Sequence, residues 1–205
     1  MSRRAVPKAN PAVRSTQGTP ARRRAVPKAN PAARSTPGSS VAALPLVWLN
    51  ETAIRFTDAR GHLDVLYEQG DVVLKRSFSR AGVFRGMHWQ RPPHAQSKLI
   101  RVVSGRILDF VVDPQSESRL LFHRELGPGD GWVLVPAHLA HGFLALQATE
   151  FEYLCHGAYA ESAEHSYSIL HHLAEHHGIR DAIVSAKDAA AAPLEVTAAP
   201  TTAIS

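Results

Sequence analysis

The 205-residue sequence predicts an all-β domain, an antiparallel sandwich, jelly roll or barrel, carried behind a tail that does not fold. Three observations predict it. From Leu46 onward short β-rich runs recur at near-regular spacing, Gly, Pro and Asp punctuate them, and no long helical period occurs before the C-terminal third. The length and the 44% share of hydrophobic side chains suit one globular domain plus an extra segment, not two full domains.

The extra segment is residues 1–45. Arg3 to Gly18, RRAVPKANPAVRSTQG, returns as Arg23 to Gly38, RRAVPKANPAARSTPG, a 20-residue duplication with two differences. Six prolines (Pro7, Pro11, Pro20, Pro27, Pro31, Pro37) break any helix, and valine is the largest apolar side chain of the repeat. Nothing offsets the entropy of ordering it, so a disordered basic Pro/Ala-rich tail is expected. Two copies without an apolar face do not make a solenoid. A bland duplication, an electrostatic tether and an organelle address remain open readings, although the prolines oppose the amphipathic helix of a transit peptide.

The domain is expected over 46–196. Its candidate strands are Val47–Phe56, His62–Glu68, Val72–Phe78, Lys98–Val103, Ile107–Val112, Leu120–Leu126, Gly131–Val135, Gly142–Leu146 and Thr149–Cys155. Turns fall at Arg60-Gly61, Gln69-Gly70-Asp71, Ser104-Gly105, Gly127-Pro128-Gly129-Asp130 and Gln147-Ala148. A short C-terminal helix is expected over Ile169–Gly178, ended by its glycine, and residues 197–205 are expected to fray.

Charge splits along the chain. Residues 1–45 carry nine Lys/Arg and no acid, and residues 46–205 carry 14 against 18, so +9 and −4 leave the formal +5. The basic character that would suggest a nucleic-acid partner sits in the tail, and the folded part is mildly acidic, which argues against such a partner. No run approaches the roughly 18 apolar residues of a membrane span. The single thiol, Cys155, makes no internal disulfide and gives no sign of an oxidising compartment; a small buried hydrophobe is its simplest reading.

Some strand residues do not suit a plain core. Lys98, Ile100 and Val102 share one face of their strand and Leu99, Arg101 and Val103 the other, so each face carries a cation and one of them points inward. Phe151 and Tyr153 share a face, which puts a phenol in the interior; a core tyrosine with a satisfied hydroxyl is the simpler alternative. In Arg85-Gly-Met-His88-Trp-Gln90, strict alternation separates His88 from Arg85 unless Gly86 makes a bulge.

Taken together these runs resemble a family. VFRGMHWQRPPHAQSKLIRVV over Val83–Val103, then RILDFVVD, VPAHLAHGFLAL and FEYLCHGAY, and late in the chain Ser185-Ala-Lys-Asp188, occur in the order seen in the dTDP-4-dehydrorhamnose 3,5-epimerases. The resemblance covers about Phe56 to Leu194. It implies a jelly-roll (cupin-like) barrel, a homodimer with exchanged N-terminal strands, a nucleotide-sugar substrate and a place in the cytoplasm, where activated sugars are made.

The implied chemistry is inversion of a carbon next to a ketone. It requires a base for the α-proton, a donor for the enolate oxygen and an acid on the opposite face, and it asks for no cofactor and no metal. His88 suits the base, since imidazole titrates near working pH. By resemblance Asp188 hydrogen-bonds His88, Tyr153 is the acid, and Lys98 and Arg85 stabilise the enolate or the substrate's charge. Gln90, Arg60, His141 and Tyr159 complete the substrate-binding set, with Tyr159 the next acid should Tyr153 be a core residue. A structural role for His141 is equally open.

The sequence departs from the family outside this set. Where the family has R-G-x-F-x-E, whose aromatic and acid help hold the nucleotide, this chain has Arg60-Gly61-His62-Leu63-Asp64-Val65. Of the family's Q-x-N-x-S-x-S run, Val73-Leu-Lys75-Arg-Ser77-Phe-Ser79 keeps the serines. The chemistry reads as retained and the nucleotide contacts as altered. Two alternatives stay open. One is a metal-dependent cupin isomerase or oxygenase using His88, His94, His138 and His141, although Gln90 stands where a second His of a His-x-His pair belongs. The other is a non-catalytic sugar-binding jelly roll.

Overall fold

A computed structural model of the protein describes residues 53–199. The tail over 1–45, the expected strand residues 47–52 and the chain end after 199 lie outside the described residues. Thirteen strands are described: β1 Ile54–Asp58, β2 Gly61–Gln69, β3 Val72–Ser79, β4 Phe84–Gln90, β5 Ser97–Ser104, β6 Ile107–Val112, β7 Leu120–Leu126, β8 Val133–Val135, β9 Ala140–Ala145, β10 Thr149–His156, β11 Glu164–Ser168, β12 Ala192–Pro193 and β13 Thr197–Ala198. Two short helices follow the main strands, α1 Leu170–His176 and α2 Ala186–Ala189.

The strands form two sheets. One runs β1-β2-β3-β10-β5-β8 and the other β12-β11-β4-β9-β6-β7-β13. From β3 to β10 the chain passes back and forth between them, which makes a jelly roll with its cavity between the sheets. Local chemistry sets the hairpins: Gln69 pairs with Val72 across Gly70-Asp71, and Gly70 takes the positive φ of 60° that such a tight turn needs.

Alternation divides the core in two. On β9, His141, Phe143 and Ala145 face the other sheet, while Ala140 and Leu144 face outward beneath α1, so all six residues of the strand are buried. Between the sheets Val83, Ile100, Val102, Ile107, Phe143 and Phe151 pack at one end of the barrel. On the far side of the second sheet Phe84, Met87, Trp89, Phe110 and Leu121 pack under Ile169, Leu173 and Leu194. The C-terminal segment is therefore a lid of the core, which is how it comes to carry a residue into the site.

Several boundaries differ from expectation for physical reasons. β4 and β11 were not among the expected strands; β4 is interrupted by a register shift between Arg85 and His88, and β11 pairs with β4 at its edge. The strand expected from Gly131 starts at Val133, because Pro128–Asp130 forms a 3₁₀ turn. Thr197 and Ala198, expected to fray, pair in parallel with Leu120 and Leu121.

Candidate active site

The inward faces of both sheets line one cavity of about 320 Å³. From the first sheet come Lys75 and Ser77 on β3, Lys98 and Ile100 on β5, and Phe151, Tyr153 and Cys155 on β10; from the second come Arg85, His88 and Gln90 on β4 and His141 on β9. Of the residues singled out from sequence, His88, Lys98, Tyr153, Arg85, Gln90, Arg60, His141 and Tyr159 all line it. Asp188 stands behind His88.

The bulge decides the arrangement. Gly86 and Met87 together stand opposite Gly142, one residue more than the ladder needs, so Arg85 and His88 both face inward while Met87 enters the outer core. A Cβ on Gly86 would stand 2.4 Å from Gly142 Cα, and its φ of 137° is one that side chains avoid. Glycine permits the close approach of β4 and β9 that aims His88.

His88 Nε2 and Asp188 Oδ1 are 2.7 Å apart, and Arg60 donates to Asp188 Oδ2 at 3.3 Å. Asp188 is 2% exposed. Burial alone would push its carboxyl up, but the hydrogen bond and charge of His88, the Ser185 contact and Arg60 hold it below the usual range. It is therefore ionised at neutral pH. Ser185 caps α2, its Oγ accepting from Asp188 N at 3.0 Å, so the Ser-Ala-Lys-Asp run is the device that delivers this carboxylate.

Lys98 donates to the His88 carbonyl at 3.5 Å, and burial pulls its ammonium below the ordinary lysine range. The other cation of that strand, Arg101, faces outward and donates to Glu152 Oε2 at 2.7 Å. Arg85 donates to Ser79 Oγ at 2.9 Å and to the Phe78 carbonyl at 3.3 Å, which leaves part of its guanidinium for the cavity. Burial raises the Tyr153 hydroxyl well above its ordinary range, partly offset by Arg85 and Arg60, so it stays protonated as an acid must. The alternative acid, Tyr159, is 51% exposed at the mouth and donates to Glu164 Oε2 at 2.9 Å; burial and Glu164 push it up to about 12.

Two expected binding residues have structural duties. Gln90 lines the cavity, but its amide donates to the His94 and Ala158 carbonyls at 2.7 and 3.3 Å and accepts from Ala160 N at 2.8 Å. His141 is 2.8 Å from Asp109 Oδ1, a buried pair. Asp109 was not singled out from sequence, although an acid on the inward face of ILDFVV is the signal that marks it. Lys75, Glu164, Lys187 and Cys155 also line the cavity without having been assigned to the site. His94 and His138 do not line it.

A profile of the family described as dTDP-4-dehydrorhamnose 3,5-epimerase matches residues 44–195. The enzyme of that name from Streptomyces griseus is 35% identical over 133 residues, which cover 58% of this chain and 66% of the relative. The one from Mycobacterium tuberculosis is 38% identical over 100 residues, 44% of this chain and 47% of the relative. The chain thus spans between about half and two thirds of the length of these relatives. A crystal structure of dTDP-4-dehydrorhamnose 3,5-epimerase from Bacillus anthracis, with TDP and PPi bound, is 29% identical with a TM-score of 0.54, covering 69% of this chain and 91% of that one. The matched segment holds strands β1 to β12 and α2, with His88, Lys98, Tyr153 and Asp188 within it, and the chain belongs to the dTDP-4-dehydrorhamnose 3,5-epimerase family.

Proposed function

We propose that the protein inverts C3, C5 or both of a nucleotide-linked 4-keto-6-deoxyhexose, removing a proton beside the ketone and returning one to the opposite face. The observation that carries this reading is His88, backed by Asp188 at 2.7 Å, set across one cavity from Tyr153 on the facing sheet. With Nε2–H donating to the ionised Asp188, Nδ1 of His88 is the nitrogen left to act as base. The electron pair moves onto the ketone oxygen, where Lys98 and Arg85 supply positive charge. Tyr153 gives its hydroxyl proton to the carbon from the other side, and solvent restores both groups. The chemistry of such an enolate asks for no redox cofactor or metal. TDP in the Bacillus anthracis relative supports a nucleoside-diphosphate sugar as the substrate.

The test is incubation with dTDP-4-keto-6-deoxyglucose in deuterated water, followed by NMR. Deuterium at C3 and C5 marks a double epimerase, deuterium at one carbon a single epimerase, and none overturns the reading. The same reading places the protein in the cytoplasm as a homodimer. No helix among the described residues is long and apolar enough to cross a membrane. All five residues of edge strand β1 are exposed, with Ile54 at 59% and Phe56 at 58%, an apolar edge that a second copy would cover. Sedimentation equilibrium is expected to return twice the chain mass, and a monomer at micromolar concentration overturns the dimer.

A further inference from the structure

Lys75 is a cation that the proton transfers leave unused. It stands on β3 directly opposite Tyr153 of β10 and lines the cavity. The acids at the site are taken, Asp188 by His88 and Arg60 and Glu164 by Tyr159 and Lys187. Lys75 forms no ion pair among the described residues. Its ammonium lies 5.9 Å from the Tyr153 ring centroid and 5.6 Å from that of Tyr159. Tyr153 sits inside the cavity and Tyr159 at its rim, so Lys75 lies between the reacting sugar and the exit. In a sugar nucleotide that interval is occupied by the diphosphate.

Groups that could read a base edge are turned away or spent. His62 stacks on Phe78 with centroids 5.6 Å apart. Asp64 is held by Arg55 Nε and Nη2 at 2.6 and 2.7 Å, in a separate recess of the first sheet. Of His62, Leu63 and Asp64 only Leu63, which has no polar atom in its side chain, reaches the cavity. Gln90 gives its amide to backbone groups, and Gln96 donates to the Gly157 carbonyl. Besides the Ser77 hydroxyl, which has no partner and is too short to span a base edge, what the wall offers freely is charge.

We propose that Lys75 grips the diphosphate of the substrate and that this contact, rather than the base, decides which nucleotide sugars the cavity admits; the proposal rests on the epimerase reading above. A charge-assisted contact of this kind is worth on the order of ten- to a hundredfold in affinity. The experiment is calorimetric titration of the full chain with dTDP, UDP, ADP and thymidine. The three diphosphates are expected to bind within about threefold of one another, and thymidine far more weakly. Lys75→Met is expected to weaken all three diphosphates by about tenfold or more and to raise KM for the 4-keto sugar nucleotide, and Lys75→Arg to restore most of the loss. A preference for dTDP over ADP of more than about tenfold overturns the proposal, as does unchanged diphosphate affinity in Lys75→Met. Loss of kcat at constant KM also overturns it, because it assigns Lys75 to proton delivery. None of these outcomes touches the epimerase reading, which falls only if wild-type protein exchanges no deuterium into the sugar.

Discussion

His88 and Tyr153 reach one cavity from different sheets, and each has a different fate if removed. His88→Asn is expected to abolish both deuterium exchange and inversion, since no other base faces the substrate from β4. Tyr153→Phe removes only the returning acid. The enolate still forms, with Lys98 and Arg85 beside its oxygen, and His88 hands a solvent-exchanged proton back to the face it left. NMR in deuterated water should therefore show incorporation with little inverted product, and a kcat for epimerisation lower by roughly 10²-fold or more. Inversion at near wild-type rate would make Tyr153 a core residue and pass the acid's role to Tyr159. Tyr153 was legible as a phenol on the same face as Phe151, and His88 through the motif that the chain shares with the family it resembles. Lys75 lines the same cavity, and the role proposed for it was not legible, because an unpaired cation is recognised only once the acids around it are seen to be occupied.

Single elements carry the aim of those side chains. The bulge of β4 puts Arg85 and His88 on one face, and it depends on the approach of Gly86 to Gly142. Gly86→Ala sets a Cβ 2.4 Å from a backbone carbon that has no side chain to rotate away. Thermal unfolding should show a loss of about 2–3 kcal/mol or more, with activity falling further than stability explains as His88 leaves Asp188. Unchanged Tm and activity would mean that β4 and β9 slide apart at no cost. The strands themselves were largely legible: β6 and β7 begin and end where alternation and their flanking turns put them. β11 was not, since Glu164–Ser168 has no alternation of its own and is a strand because β4 leaves it an edge to pair with.

Across the whole molecule, the C-terminal segment closes the outer core and holds Asp188, so its stability is coupled to the site. His172 is 3% exposed, and burial, with the neighbouring His176, His177, His171 and His123, lowers its pKa from 6.5 to about 4. Between those two values the unfolded chain binds a proton that the folded chain does not, so stability rises with pH through the window and is lost as pH falls from 6.5 toward 4. His177 is shifted the same way, with burial the main cause. Tm measured from pH 8 to pH 4 should be level above about 6.5 and fall below it. His172→Leu should flatten that fall, and an equally steep fall in the variant would remove the histidine cluster as its cause.

The sequence by itself determined the β class, most strand limits, the tail as a separate compositional segment, and, through the family motifs, the order along the chain of the residues proposed to form an enolising site. These are local properties: alternation of period two, turn residues, and motifs a few residues long. Tertiary structure alone decided which face of each strand looks into the cavity, that Met87 leaves it while Arg85 and His88 share it, that Asp109 backs His141, and that His62 and Asp64 turn away from the cavity. It also spent the Gln90 amide on backbone groups. The physical reason is range. The bond between His88 and Asp188 joins residues 100 positions apart, and whether a polar group is free for a substrate depends on partners that arrive from the other sheet.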